Sequence, residues 1–162
     1  MQSNKPHDET MLHDRYLIFG LGDESYGLGV ACITEIVNMQ SITQAPQTPG
    51  YIKGIINLRG RVIPVMDLRL RFDLASAPYT DWTCIIIVEI RGTSIGLIVD
   101  HVWEVMTIHD DQCSAVPAAM RAEQNKYLKS IGRVDNEIKL LLDHDRLLDD
   151  TSNTFNMEEL YQ

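Results

Sequence analysis

A chain of 162 residues, 44% hydrophobic and 23% charged, fits one ordinary domain or two very small ones and falls outside the disordered and fibrous classes. Its net charge of -9 argues against nucleic acid or an anionic membrane surface as the main partner, because such surfaces need a basic excess. No apolar run approaches the roughly 20 residues of a membrane-spanning helix, and the polar residues 1–14 lack the apolar core of a signal peptide. The expected location is therefore the cytoplasm, without membrane insertion.

Residues 1–14 are read as a flexible N-terminus. Residues 16–21 are apolar and β-prone, 22–25 are turn residues, and 26–30 resume the apolar run, which predicts a hairpin. Residues 33–37 alternate as an extended strand, and Pro46 and Pro49 end regular pairing. A second hairpin is expected from runs 52–58 and 62–68 around Arg59-Gly60-Arg61, with Gly60 supplying the positive φ of a tight turn. The polar connector 75–82 is the expected split between two subdomains. Run 84–90 reads as a fully buried strand with Trp82 as a lid on the core, and 91–94 turns it into 95–99. Residues 118–128 are the best helical segment, 156–161 are expected to form a short terminal turn, and 149–162 a mobile tail.

Charge is unevenly spread. In residues 51–72, Lys53, Arg59, Arg61, Arg69 and Arg71 face Asp67 alone, a local charge of +4 that leaves -13 for the remainder. Such an island is either a solvated strand face or a patch for an acidic partner.

The most informative pattern is internal. Residues 18–36 align without a gap on 87–105 at an offset of 69, matching Ile18/Ile87, Ser25/Ser94, Gly27/Gly96, Leu28/Leu97, Val30/Val99 and Glu35/Glu104. A second correspondence, at an offset of 76, places Tyr51-Ile52-Lys53 on Tyr127-Leu128-Lys129, Ile55 on Ile131 and Asp67 on Asp143. Duplicated short strands with regular turns predict a mainly all-β fold, small barrels or a sandwich, with one or two short helices.

No chemistry stands out. Gly20-Leu21-Gly22 and Gly27-Leu28-Gly29 lack the third glycine of a dinucleotide fingerprint, and neither a P-loop nor a G-x-S-x-G elbow is present. The histidines and the three cysteines, Cys32, Cys84 and Cys113, have no metal-ligand spacing, and reduced thiols are expected. The expectation is no catalytic residue, metal or cofactor. Two alternatives stay open: an enzyme built on Cys84 or His101 in an unforeseen cleft, and a subunit of a structural oligomer. Trp103, at the position of Thr34 in the first copy, is a possible exposed aromatic anchor if Val102 and Val105 face inward.

The stretch from Lys53-Gly54-Ile55-Ile56-Asn57-Leu58-Arg59-Gly60-Arg61 through Val62-Ile63-Pro64-Val65-Met66-Asp67-Leu68-Arg69 resembles the signature of CheW-type chemotaxis coupling proteins. Tyr26-Gly27-Leu28, Ile33-Thr34-Glu35-Ile36, Gly96-Leu97-Ile98-Val99-Asp100, Tyr127-Leu128 and Leu140-Leu141-Leu142-Asp143 fit other elements of that family, so the resemblance spans residues 15–148. It implies two interlocked five-stranded SH3-like β-barrels and a non-enzymatic adaptor, monomeric alone. The implied partners are the regulatory domain of a CheA-type histidine kinase and the cytoplasmic tips of methyl-accepting chemotaxis receptors. Flagellar, twitching or another CheA-based pathway stays open. Carried over, Glu35 and Arg59 lie near the receptor groove and could pair. Ile33 and Val102 are apolar groove contacts, with Trp103 beside them, and Lys53, Gly54, Asn57 and Gly60 shape the surface. Gly29, where Asp is common, and the bulky Trp103 depart from the family pattern.

Overall fold

The computed structural model describes residues 13–121 and 125–149. The expected mobility of the N-terminus and tail bears mostly on residues outside this range, and the terminal turn at 156–161 lies wholly outside it.

Among the described residues, eleven strands run in chain order: β1 (Arg15–Leu21), β2 (Glu24–Gly29), β3 (Ile33–Asn38), β4 (Ile52–Leu58), β5 (Arg61–Asp67), β6 (Cys84–Ile90), β7 (Thr93–Val99), β8 (His101–Thr107), β9 (Cys113–Ser114), β10 (Leu128–Val134) and β11 (Glu137–Leu142). One short helix, α1 (Leu68–Arg71), follows β5. They form two sheets, β8-β1-β2-β11-β10-β9 and β3-β6-β7-β5-β4, called barrel 1 and barrel 2 here.

Each tight turn has a visible chemical cause. Arg59-Gly60, Arg91-Gly92 and Asp135-Asn136 all take positive φ at both central positions, the backbone that matches the right-handed twist of flanking strands. Asp67 ends β5 by capping α1: its carboxylate accepts from the Arg69 and Leu70 amides.

The duplication reaches the hydrogen-bond register. The β3–β6 ladder slips between Ile33 and Glu35, and the β1–β8 ladder slips where the counterparts Val102 and Glu104 sit. Thr34 and Trp103 are the extra residues of these equivalent bulges. Parallel pairing of Leu141 with Gly27 repeats that of Val65 with Gly96. Asp67 N–H donates to Tyr51 O at 2.7 Å, and Asp143 N–H to Tyr127 O at 2.8 Å.

The split expected at 75–82 is not where the barrels divide. That connector joins β5 and α1 to β6, all in or on barrel 2. The chain changes barrels instead at the 310 turn Val30–Cys32 and at Asp100, so the third strand of each copy leaves its own hairpin. β3 completes the sheet of β6 and β7, and β8 completes that of β1 and β2. Barrel 2 is inserted within barrel 1.

That exchange explains the continuous apolar runs. On β1, Leu17, Phe19 and Leu21 join a large core shared between the barrels, while Tyr16 and Ile18 face the interior of barrel 1. On β6, Ile86, Val88 and Ile90 enter the shared core and Ile85 and Ile87 line barrel 2. Strands buried on both faces lose the polar alternation of a surface strand. One charged side chain is sunk beside the shared core. Arg71, buried, stacks its guanidinium 4.3 Å from the Tyr51 ring and 5.0 Å from the ring of its counterpart Tyr127, and donates to Leu147 O and Asp149 O.

Two expectations fail. Trp82 is no lid: it is 77% exposed, in a turn where its amide donates to Thr80 Oγ1 and the strand begins only at Cys84. Of the helix expected at 118–128, the described residues form a 310 turn at Ala118–Met120, residues 122–124 lie outside the described range, and Leu128 already belongs to β10.

Candidate functional site

At one end of barrel 2 the β4–β5 turn meets the edge strand β3. Arg59, first central residue of the turn, forms an ion pair through Nη2 with Glu35 Oε2. The turn is braced from within, since the Gly60 amide donates to Asn57 Oδ1 at 2.8 Å. Beside it, Arg61 Nη2 donates to Ser94 Oγ at 2.8 Å at the start of β7. The arginine side chain is 67% exposed and the glutamate 31%, so the pair adds under about 1 kcal/mol to stability. On the same two elements Ile36 of β3 and Val62 of β5 are exposed apolar side chains.

The expected site residues thus fall into three groups. Glu35, Asn57, Arg59 and Gly60 share this rim. Ile33 and Val102, repeat counterparts, are half-buried against the shared core, one on each barrel's edge strand. Lys53 and Gly54 lie toward the other end of β4, about 13 Å and about 10 Å along the strand from Asn57. Gly54 has a structural duty there. With φ 145°, its amino-acid neighbour across the barrel seam is Thr43, whose carbonyl oxygen would lie 2.1 Å from an added Cβ. Trp103 is 62% exposed on β8, as expected, although Val105 does not face inward with Val102 but is exposed as well.

Sequence reasoning passed over the tightest polar cluster. Arg69 grips Asp100 with two bonds, Nε to Oδ1 at 2.8 Å and Nη2 to Oδ2 at 2.6 Å, and the Gly22 amide donates to the same Oδ2 at 2.8 Å. Burial raises the Asp100 pKa, but the bonds from Arg69 and Gly22 and the guanidinium charge outweigh it and hold the carboxyl below its ordinary value. This clamp ties α1 and the β1–β2 turn to the point where the chain crosses between barrels. Both residues stood in the quoted motifs, Arg69 closing one and Asp100 closing another, yet nothing in their spacing announced the pairing.

The thiols are poor nucleophiles. Burial pushes Cys32 up to about 11 and raises Cys84 and Cys113 above the usual thiol range. Among the described residues no cluster of His, Cys, Asp and Glu could hold a metal, and no helix is long and apolar enough to cross a membrane.

Two barrels share one apolar core, and an exposed ion pair sits on the rim of the second. Residues 15–152 match the CheW-like domain family model, and the chain belongs to the CheW-like family. It is 32% identical over 133 residues to the chemotaxis protein CheW of Klebsiella aerogenes, covering 82% of this chain and 80% of that protein. The chemotaxis protein CheW of Bacillus subtilis is 31% identical over 144 residues, covering 89% and 92%. Protein PilI of Pseudomonas aeruginosa is 29% identical over 85 residues, 52% of this chain and 48% of that protein. The crystal structure of the scaffolding protein TtCheW from Thermoanaerobacter tengcongensis superposes with a TM-score of 0.80 at 34% identity, covering 88% of this chain and 97% of that one. The fold is the CheW fold of two SH3-like barrels.

Proposed function

We propose that this protein is a cytoplasmic, non-enzymatic adaptor that couples methyl-accepting chemotaxis receptors to the regulatory domain of a CheA-type histidine kinase. The observation that carries this reading is the Glu35–Arg59 pair. It spends two charged side chains on an exposed contact that contributes little to the fold, which makes sense where geometry at a surface matters more than stability. The Gly60 amide bond to Asn57 braces the turn that carries Arg59, and Ile33, Val102 and Trp103 supply the apolar contacts. Lys53 adds charge to the same strand, and Gly54 keeps its backbone against Thr43. The raised thiol pKa values support a role without cysteine chemistry.

The test is co-sedimentation with receptor-bearing membranes and a CheA-type kinase, with kinase output as readout. Arg59→Glu is expected to weaken coupling while circular dichroism stays native. Loss of fold, or unaltered coupling, would overturn the assignment. A second reading, a CheW-like scaffold of a non-flagellar chemosensory pathway, is favoured by the match to PilI. Identification of the kinase and receptor that co-purify from cells separates the two.

A further inference from the structure

We infer that His101 is a positioning residue that clamps Trp103 into one exposed orientation, so that a docking partner meets a rigid indole. The inference rests on the reading of Trp103 as a partner contact.

Both residues point to the same side of β8, and their rings meet edge to face with centroids 4.0 Å apart at an interplanar angle of 83°. Gly20, paired with His101 across the β1–β8 ladder, is the floor beneath them. A Cβ on Gly20 would lie 2.7 Å from His101 Nε2 and 3.3 Å from Trp103 Nε1, so a side chain at residue 20 would push on both rings. The root of this arrangement is also held. His101 follows Asp100, which Arg69 and the Gly22 amide grip, and Trp103 is the extra residue of the bulge that turns it outward.

The arrangement is poor for stability on two counts. His101 Nε2 is buried with no hydrogen-bond partner, a state native proteins rarely tolerate without a reason. A tryptophan left 62% exposed gains little from burial. The first repeat copy shows a less costly solution at the equivalent sequence positions. There the counterparts are Cys32, buried, and Thr34, whose hydroxyl donates to Ile87 O at 3.1 Å. What barrel 1 gains in exchange is an aromatic side chain whose freedom is already spent before docking, which lowers the entropic penalty of binding.

The test uses Trp82→Phe, which leaves Trp103 as the sole tryptophan, and time-resolved fluorescence anisotropy of the full chain. The indole should tumble with the protein, and His101→Ala should add a fast local component. His101→Phe, which keeps a ring over Gly20 without the unpaired nitrogen, should retain the slow indole. A fast indole in the parent or in His101→Phe, or no change in His101→Ala, would sink the clamp; should His101→Ala not fold, His101→Phe decides. Affinities for a receptor-tip fragment and for the kinase regulatory domain complete the test. His101→Ala should weaken one of them by about tenfold and have no further effect in a Trp103→Ala background. Full binding by Trp103→Ala would overturn the anchor while leaving the adaptor reading to the outcome at Arg59.

Discussion

Barrels 1 and 2 share a backbone plan and differ in what fills it. Among the described residues, barrel 2 encloses Ile56, Leu58, Ile63, Val65, Ile85, Ile87 and Ile98, whereas barrel 1 encloses Tyr16, Ile18, Ile108 and Leu141. At the position of Ile63, barrel 1 buries Lys139, its Nζ 3.0 Å from Glu137 Oε1. The turns differ likewise, Arg59-Gly60 against Asp135-Asn136, with the same left-handed backbone in both. What the duplication retained is the set of features that backbone geometry demands: bulges, parallel contacts and the aspartates Asp67 and Asp143, the second of which accepts from the Asp145 amide as the first does from Arg69. Side-chain volume and charge were free to diverge, because several fillings satisfy one hydrogen-bond ladder.

The largest expected effect breaks the comparison at its most unequal pair. Ile63→Ala should lower stability by about 3 kcal/mol in urea denaturation, since it opens a cavity in a dry barrel. Lys139→Met, at the matching site, should instead raise stability by about 1 kcal/mol by replacing a buried ammonium with an apolar chain of similar length. A loss at Lys139 comparable to that at Ile63 would mean that barrel 1 depends on the charge.

Next comes the clamp at the crossing. Asp100→Asn removes the charged half of the Arg69 fork and should cost about 2 kcal/mol at pH 7. Because Asp100 titrates below its unfolded value of about 3.9, its contribution is present above that value and is lost as pH falls through the lower, folded pKa. Urea midpoints of parent and variant should therefore converge toward pH 2, and a constant gap across the range would show the effect to be steric.

The equivalent glycines sharpen the comparison. A Cβ on Gly96 would lie 2.7 Å from Ile85 Cγ2 and 2.9 Å from Val65 Cγ1, two β-branched neighbours, whereas at Gly27 the closest atom is the tip of Leu141 at 2.7 Å, with the next at 3.4 Å. Gly96→Ala should cost about 2 kcal/mol and Gly27→Ala about 1 kcal/mol, because leucine can turn away and the branched side chains cannot. Smallest of all, Arg59→Ala should change the thermal midpoint by no more than the loss of an exposed pair, under about 1 kcal/mol.

Much of this was legible in the order of residues. Turn chemistry located the hairpin at Arg59-Gly60, the two offsets of 69 and 76 anticipated the paired registers, and the motif brought Glu35 and Arg59 together before any distance was known. The misreadings share a cause. Trp82 was assigned to the core from the apolar run after it, but burial depends on where the neighbouring strand ends. The connector at 75–82 looked like a boundary because it is polar and contains proline, yet both of its ends belong to barrel 2. At the end of the segment 118–128, Leu128 pairs with Leu142 in a ladder formed with residues that follow it.

Local sequence therefore determined the strands, turns, caps and repeat, since each depends on contacts within a few residues or on a periodicity that the chain carries with it. Tertiary structure alone decided which hairpin receives β3 and β8, which carboxylate Arg69 reaches, and that Arg71 lies between Tyr51 and Tyr127. Those choices join residues 20 to 92 positions apart, and no local pattern encodes a partner at that separation. They are settled only when the two barrels close over one apolar core.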